Sequence, residues 1–291
     1  MVRRDPRGGR GLAQGVGEAF DRDVRTDEIV NASVVAKATR DTLADNVDVV
    51  VTKRSNGAHA KTVVNVCQSC GVTLRATLFD MDGLLIDSEI LWHRAELEIF
   101  GDLGVPISDD GVRSTKGIFI VDVVGIWYER FAWSGPSREE VVAMLLARVG
   151  DLVELEGRML PGAQYAIDLC AARGPLALAS STPLALIYRC LDHFALREHF
   201  AVVTSAEFEP FGKPHPGVFL TAAASLDVAP RDCLVLEDSS AGVTAGVAAN
   251  MTVVAVPTAD DAGHPVFAQA DLVLSSLEEL SPTWLDERFG S

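Results

Sequence analysis

Four short segments concentrate the residue types that can make and break bonds. Asp80-Met81-Asp82-Gly83 closes the apolar run LRATLF (74–79). In an extended chain residues i and i+2 share a side, with Cα atoms roughly 6.5 Å apart, so two such carboxylates can work on opposite ends of one small group. Acids also close strands as turn formers and helix caps. The pair Asp21 and Asp23 reads that way, as solvated surface. Ser180-Ser181-Thr182-Pro183 ends the run PLALAS (175–180). Hydroxyls and N–H groups at a strand-to-helix junction suit a bound anion, and equally an ordinary N-cap. Gly212-Lys213-Pro214-His215-Pro216 carries one of only two lysines in residues 74–291, the other being Lys116. Held between glycine and proline, Lys213 reads as a fixed point charge for a phosphate or as a surface lysine. His215, flanked by prolines, reads as structural. Glu237-Asp238-Ser239 follows CLVL. Adjacent acids ending a buried strand are costly without a cation between them, and hard oxygen ligands suit Mg²⁺.

Together these groups answer one electrostatic demand. A carboxylate approaching a phosphate monoester brings two anions together, and like charges at ~4 Å repel by about 4 kcal/mol at an effective dielectric near 20. A divalent cation and Lys213 would cancel that repulsion and stabilise the transferring phosphoryl group. The attacking Asp is expected to be ionised at neutral pH, its unperturbed pKa being about 3.9. The second Asp would protonate the leaving oxygen, then deprotonate the water that cleaves the acyl phosphate.

The elements that must position these groups are legible from Leu74 onward. Apolar runs recur as LRATLF, PLALAS, AVVTS (201–205), CLVLE (233–237), MTVVAV (251–256) and DLVLS (271–275). Helical stretches separate them: PGAQYAIDLCAARG, PLALIYRCLDHFAL, PGVFLTAAASLDV and SAGVTAGVAAN, the last stopped by Asn250. Unalternated strands between helices predict an α/β fold with a parallel sheet covered on both faces. All four chemical segments then fall at the C-terminal strand ends, where open α/β sheets bind ligands. About 80 mostly helical residues separate the first strand from Pro161, far more than a crossover needs, and predict an inserted helical cap. The expected organisation is an extension at 1–73, a core at 74–87 and 160–291, and a cap at 88–159.

The extension reads differently from the rest. Residues 1–73 carry 11 basic and 9 acidic residues, whereas 74–291 carry 14 and 32, within a chain of 25 basic and 41 acidic. So acidic a body repels a phosphate backbone, and nucleic acid is not an expected partner. Cys67-x-x-Cys70 lacks the second pair of a zinc site and the strand and helix context of a redox motif. Residues 1–73 are expected to be a poorly folded extension, or to precede a true start near Val72. Five cysteines (67, 70, 170, 190 and 233) form no secreted disulfide framework. The opening lacks a signal-like apolar run, and Ser239–Ala259 is interrupted by polar residues, so a cytoplasmic protein without membrane contact is expected. Without heptads or a strong apolar stripe, a monomer is expected.

FDMDGLLIDSE, the Ser180 segment, GKPHP and LEDS, in that order, resemble the four motifs of the haloacid dehalogenase-like (HAD) superfamily. The likeness spans about residues 74–285. IWYERFAWSGPSREEV and RMLPGA resemble in particular its sugar-phosphate phosphatases, in the β-phosphoglucomutase-like subgroup. The resemblance implies a Rossmann-like core, an all-helical cap and Mg²⁺-dependent hydrolysis of a small phosphorylated metabolite, a sugar or polyol phosphate. Asp80 would be nucleophile and Asp82 general acid/base. Ser180, with Ser181, and Lys213 would hold the phosphate. Asp80, the backbone carbonyl of Asp82, Glu237 and Asp238 would hold the metal. Where related caps place an arginine, this chain has Phe119, which weighs against a mutase holding two phosphates. Two alternatives stand beside the phosphatase: a β-phosphoglucomutase-like isomerase and a receiver-like phosphorylation switch. Receivers lack such a cap, and dehalogenation would leave the proton donor Asp82 without a task.

Overall fold

The computed structural model describes residues 73–115 and 118–290 with their side chains, and 46–55 and 58–67 by their backbone. The chain divides into two units, Met1–Cys70 and Gly71–Ser291. In the first, β1 (Asn46–Ser55) and β2 (Ala58–Cys67) pair antiparallel in unbroken register from Asn46↔Cys67 to Ser55↔Ala58. The sequence between them is Asn56-Gly57, the strongest short hairpin signal. The Cys67/Cys70 pair lies outside the described side chains.

The second unit is built on six parallel strands: β3 (Ala76–Phe79), β4 (Leu176–Ser180), β5 (Phe200–Ser205), β6 (Cys233–Glu237), β7 (Thr252–Ala255) and β8 (Leu272–Val273). Their order across the sheet is β5-β4-β3-β6-β7-β8. Although the strand sequences are apolar throughout, their side chains alternate between two cores. Leu176, Leu178, Leu234 and Leu236 join one. Ala177, Ala179, Cys233 and Val235 join the other. Both faces are covered, as continuous apolar strands require. Phe79 meets Phe200 edge-to-face at 5.9 Å. Each fully buried Leu or Phe of this kind contributes about 1.5–3 kcal/mol. The layers come from α5 (Ala163–Ala171), α6 (Leu184–His193), α7 (Gly217–Ser225), α8 (Ser240–Ala248) and α9 (Pro282–Phe289). Helix α8 ends where expected, with Asn250 in the left-handed region. DLVLS yields only the two-residue β8, at the sheet edge.

Among the described residues, everything regular between β3 and β4 ahead of α5 is helical: α1 (Glu89–Asp102), α2 (Asp109–Arg113), α3 (Ile120–Phe131) and α4 (Arg138–Glu156). This is the all-helical cap. A capping box starts α4: Ser137 Oγ accepts from Glu140 N–H at 3.2 Å, and Glu140 Oε2 accepts from Ser137 N–H at 2.7 Å. Phe100 packs near Trp127 and Trp133, with centroids about 6 Å away. The segments entering and leaving the cap lie side by side. Asp87 N–H donates to Arg158 O and Leu160 N–H to Leu85 O, both at 2.9 Å. Farther out, Arg189 of α6 donates to Asp151 at 2.7 Å and to both oxygens of Glu154 at 2.6 and 2.9 Å, clasping α4. No helix among the described residues is long and apolar enough to cross a membrane.

Candidate active site

The chain runs from β3 outward to β4 and β5, then returns to β6 on the other side of β3. Ligands bind where strand order reverses, at the carboxyl ends. Asp80 stands there, its N–H donating to Leu236 O at 3.1 Å, which fastens the tip of β3 to that of β6. Glu237 ends β6 and Asp238 follows. One carboxylate oxygen from each of Asp80, Glu237 and Asp238 lies within 4.8 Å of the others. All three residues are buried.

Lys213 reaches the same point. Its ammonium donates to Asp80 Oδ1 at 2.6 Å, to Glu237 Oε1 at 2.6 Å and to Ala179 O at 3.0 Å. It also lies 4.8 Å from the centre of the Phe219 ring. The lysine is therefore a buried charge, not a surface one. His215 Nδ1 accepts from Gly217 N–H at 3.2 Å.

Burial is the largest influence on Lys213 and disfavours its charge, but Asp80 and Glu237 outweigh it and hold the ammonium above its ordinary range. Asp80 moves the other way. Burial, reinforced by Glu237 and Asp82 and opposed by Lys213, pushes its carboxyl up to about 8. Desolvation thus works against the Asp80 charge and the Lys213 ammonium at 2.6 Å works for it. Burial, with Glu237 and Asp80 adding to it, also raises Asp238 well above the carboxylate range.

These carboxylates fit a divalent cation. Lys213 and Ser239 occupy the Glu237 oxygens, the latter donating to Oε2 through N–H at 3.0 Å and Oγ at 2.9 Å. Asp238, by contrast, receives no side-chain hydrogen bond among the described residues and is 5% exposed. An unpartnered buried carboxylate beside two others is unfavourable until positive charge joins it. Gly83 leaves room for it: its φ is +75°, and a Cβ there would overlap the Asp238 carboxylate.

Asp82 points away from this cluster. Its Oδ1 accepts from Ser88 Oγ at 2.6 Å and Trp92 Nε1 at 3.2 Å. Its Oδ2 accepts from Thr182 Oγ1 at 2.7 Å and, at 3.4 Å, from Ser180 Oγ. Ser88, Trp92 and Thr182 were not among the residues singled out from sequence. Thr182 carried a signal as part of the Ser180 segment and Ser88 as part of FDMDGLLIDSE, whereas Trp92 carried none. Ser180 is buried, accepting from Thr182 N–H at 3.0 Å, with Ser181 half-buried beside it. Pro183 is the N-cap of α6, and Glu207 accepts from Leu184 N–H at 2.9 Å. A carboxylate thus satisfies one N–H of the helix start expected to cradle an anion. Phe119 is the half-buried N-cap of α3.

A buried lysine among carboxylates at the switch point of a capped parallel sheet is the arrangement that the four motifs implied. Residues 74–250 match the haloacid dehalogenase-like hydrolase family, and the chain belongs to it. It is 48% identical over 208 residues to hexitol phosphatase B of Escherichia coli K12, spanning 71% of this chain and 94% of that protein. To β-phosphoglucomutase of Bacillus subtilis it is 28% identical over 229 residues, 74% of this chain and 96% of that one. Among solved structures, CbbY from Rhodobacter sphaeroides in complex with phosphate superposes with a TM-score of 0.65 at 28% identity, covering 72% of this chain and 97% of that chain.

Proposed function

We propose that this chain is a Mg²⁺-dependent phosphatase of small sugar or polyol phosphates, working through phosphorylated Asp80. The observation that carries the reading is the convergence of Asp80, Lys213, Glu237 and Asp238 at one point of the sheet edge. The hexitol phosphatase relative supports the substrate class.

A carboxylate oxygen of Asp80 attacks phosphorus as the ester P–O bond breaks, and protonated Asp82 gives its proton to the departing alkoxide. Asp82, now a carboxylate, takes a proton from water. The water oxygen attacks phosphorus, the Asp80–phosphate bond breaks and inorganic phosphate leaves. Lys213 offsets phosphate charge throughout, and Ser180 with Ser181 orients the phosphate oxygens. Asp80, Glu237, Asp238 and the Asp82 backbone carbonyl would hold Mg²⁺, which when bound supplies the positive charge that keeps Asp80 ionised and offsets its repulsion from the phosphate.

The test is phosphate release from a panel of phosphorylated sugars, polyols and nucleotides, with and without Mg²⁺. Release from sugars or polyols, abolished by Asp80→Asn in a folded chain, is the expected result. Retained turnover in that variant removes Asp80 as nucleophile. Phosphate returned to another sugar position, rather than released, would make the chain a mutase.

A further inference from the structure

The indole N–H of Trp92 reaches out of the cap to a group in the core, and the reaction scheme above gives it no task. Trp92 lies in the first turn of α1, four residues after Ser88. Both donate to the same atom, Asp82 Oδ1. Ser88 is the N-cap of α1, yet its side chain makes no capping hydrogen bond. A serine normally stabilises a helix start by about 1 kcal/mol through that bond. Here the hydroxyl is spent on Asp82 instead. Two groups at the start of one cap helix therefore converge on a carboxylate whose other oxygen is held by Thr182, at the tip of β4. The Asp82 loop is itself tied to the paired segments that enter and leave the cap, through Gly83 N–H to Ile86 O at 2.9 Å and the bridge Ile86↔Met159.

We propose that Trp92 is a positioning residue for the reaction: its indole N–H, carried by the cap, fixes the Asp82 carboxyl in the orientation that delivers a proton to the leaving oxygen. Cap and core then share control of one side chain, and any cap displacement is felt at the proton donor. The inference rests on the phosphatase reading above. Substituting Trp92 by Phe keeps an aromatic ring in place and removes the donor.

Proton delivery matters to an alkoxide leaving group and little to p-nitrophenolate, and that difference separates positioning from general support. In Trp92→Phe, kcat/KM for a polyol phosphate is expected to fall by about 10- to 100-fold, part of the 10²- to 10⁴-fold that general acid–base catalysis contributes. For p-nitrophenyl phosphate it is expected to fall by less than about threefold, because that leaving group needs no acid. On an Asp82→Asn chain, adding Trp92→Phe should change the polyol phosphate rate by less than about twofold, since residues acting through one another are not additive. Equal losses on both substrates, or the same loss with and without Asp82, would overturn the proposal, as would no loss at all. Trp92→His, which keeps a ring N–H, covers a Phe variant that does not fold. The ratio between its two substrates should stay within about threefold of the parent, and its collapse with the donor retained also overturns the role. Should the unmodified chain release no phosphate from either substrate, the phosphatase reading fails, a result distinct from these.

Discussion

Lys213 shows how much can rest on one side chain. Its three donors meet Asp80, Glu237 and a backbone carbonyl, so its removal leaves two carboxylates buried against each other. Breaking a buried pair from one side costs about 3–5 kcal/mol. Lys213→Met is expected to lower the urea midpoint accordingly and to reduce phosphate release by at least about 100-fold. Glu96, on α1, is a different case. Its Oε2 is buried without a partner, and burial pushes its carboxyl from 4.5 up to about 7. Below 4.5 folded and unfolded chains both hold the proton. Between 4.5 and about 7 only the unfolded chain releases it, so stability falls as pH rises, by about 3 kcal/mol in all. Because Gln cannot ionise, the melting temperature of Glu96→Gln relative to the parent is expected to rise between pH 5 and pH 8. A constant difference would show that Glu96 is not buried in solution.

At the scale of elements, the strand ends place their cargo through close backbone approach. Helix α8 passes so near Glu237 that a Cβ on Gly242 would overlap the carboxylate. In an ordinary helix interior Gly→Ala stabilises by about 1 kcal/mol. Here the sign is expected to reverse: Gly242→Ala should destabilise by about 1–3 kcal/mol through overpacking and displace Glu237 from Lys213 and Ser239. Thermal melts and phosphate release together check it. The strands themselves were readable because parallel strands covered on both faces need apolar residues at every position. CLVLE became Cys233–Glu237 without adjustment. The contacts that the donors around Asp82 make with its carboxylate were not readable. Which hydroxyl or indole meets that carboxylate depends on the turn at 81–86 and on how the linkers pair, and neither leaves a pattern in residue type.

For the molecule as a whole, the charge balance pointed to an acidic body and the four motifs implied a metal among its carboxylates. In the structure three buried carboxylates face a single ammonium. A ligand that binds only the folded state at 100 times its Kd adds about 2.7 kcal/mol of stability. Saturating Mg²⁺ is therefore expected to raise the melting temperature by about 5–10 °C, reversibly with chelator. Asp238→Asn should melt higher than the parent without Mg²⁺ and gain less from it. An unchanged melting curve with Mg²⁺ would remove the metal from the site.

The paired linkers bear on heredity as well as on motion. Because the polypeptide leaves the sheet at Leu85–Asp87 and returns at Arg158–Leu160 through adjoining backbone, the insertion is stitched in at a single seam. A lineage can trade one lid for another at that seam while the strand tips stay where they are, so new substrates become reachable without reinventing the chemistry beneath.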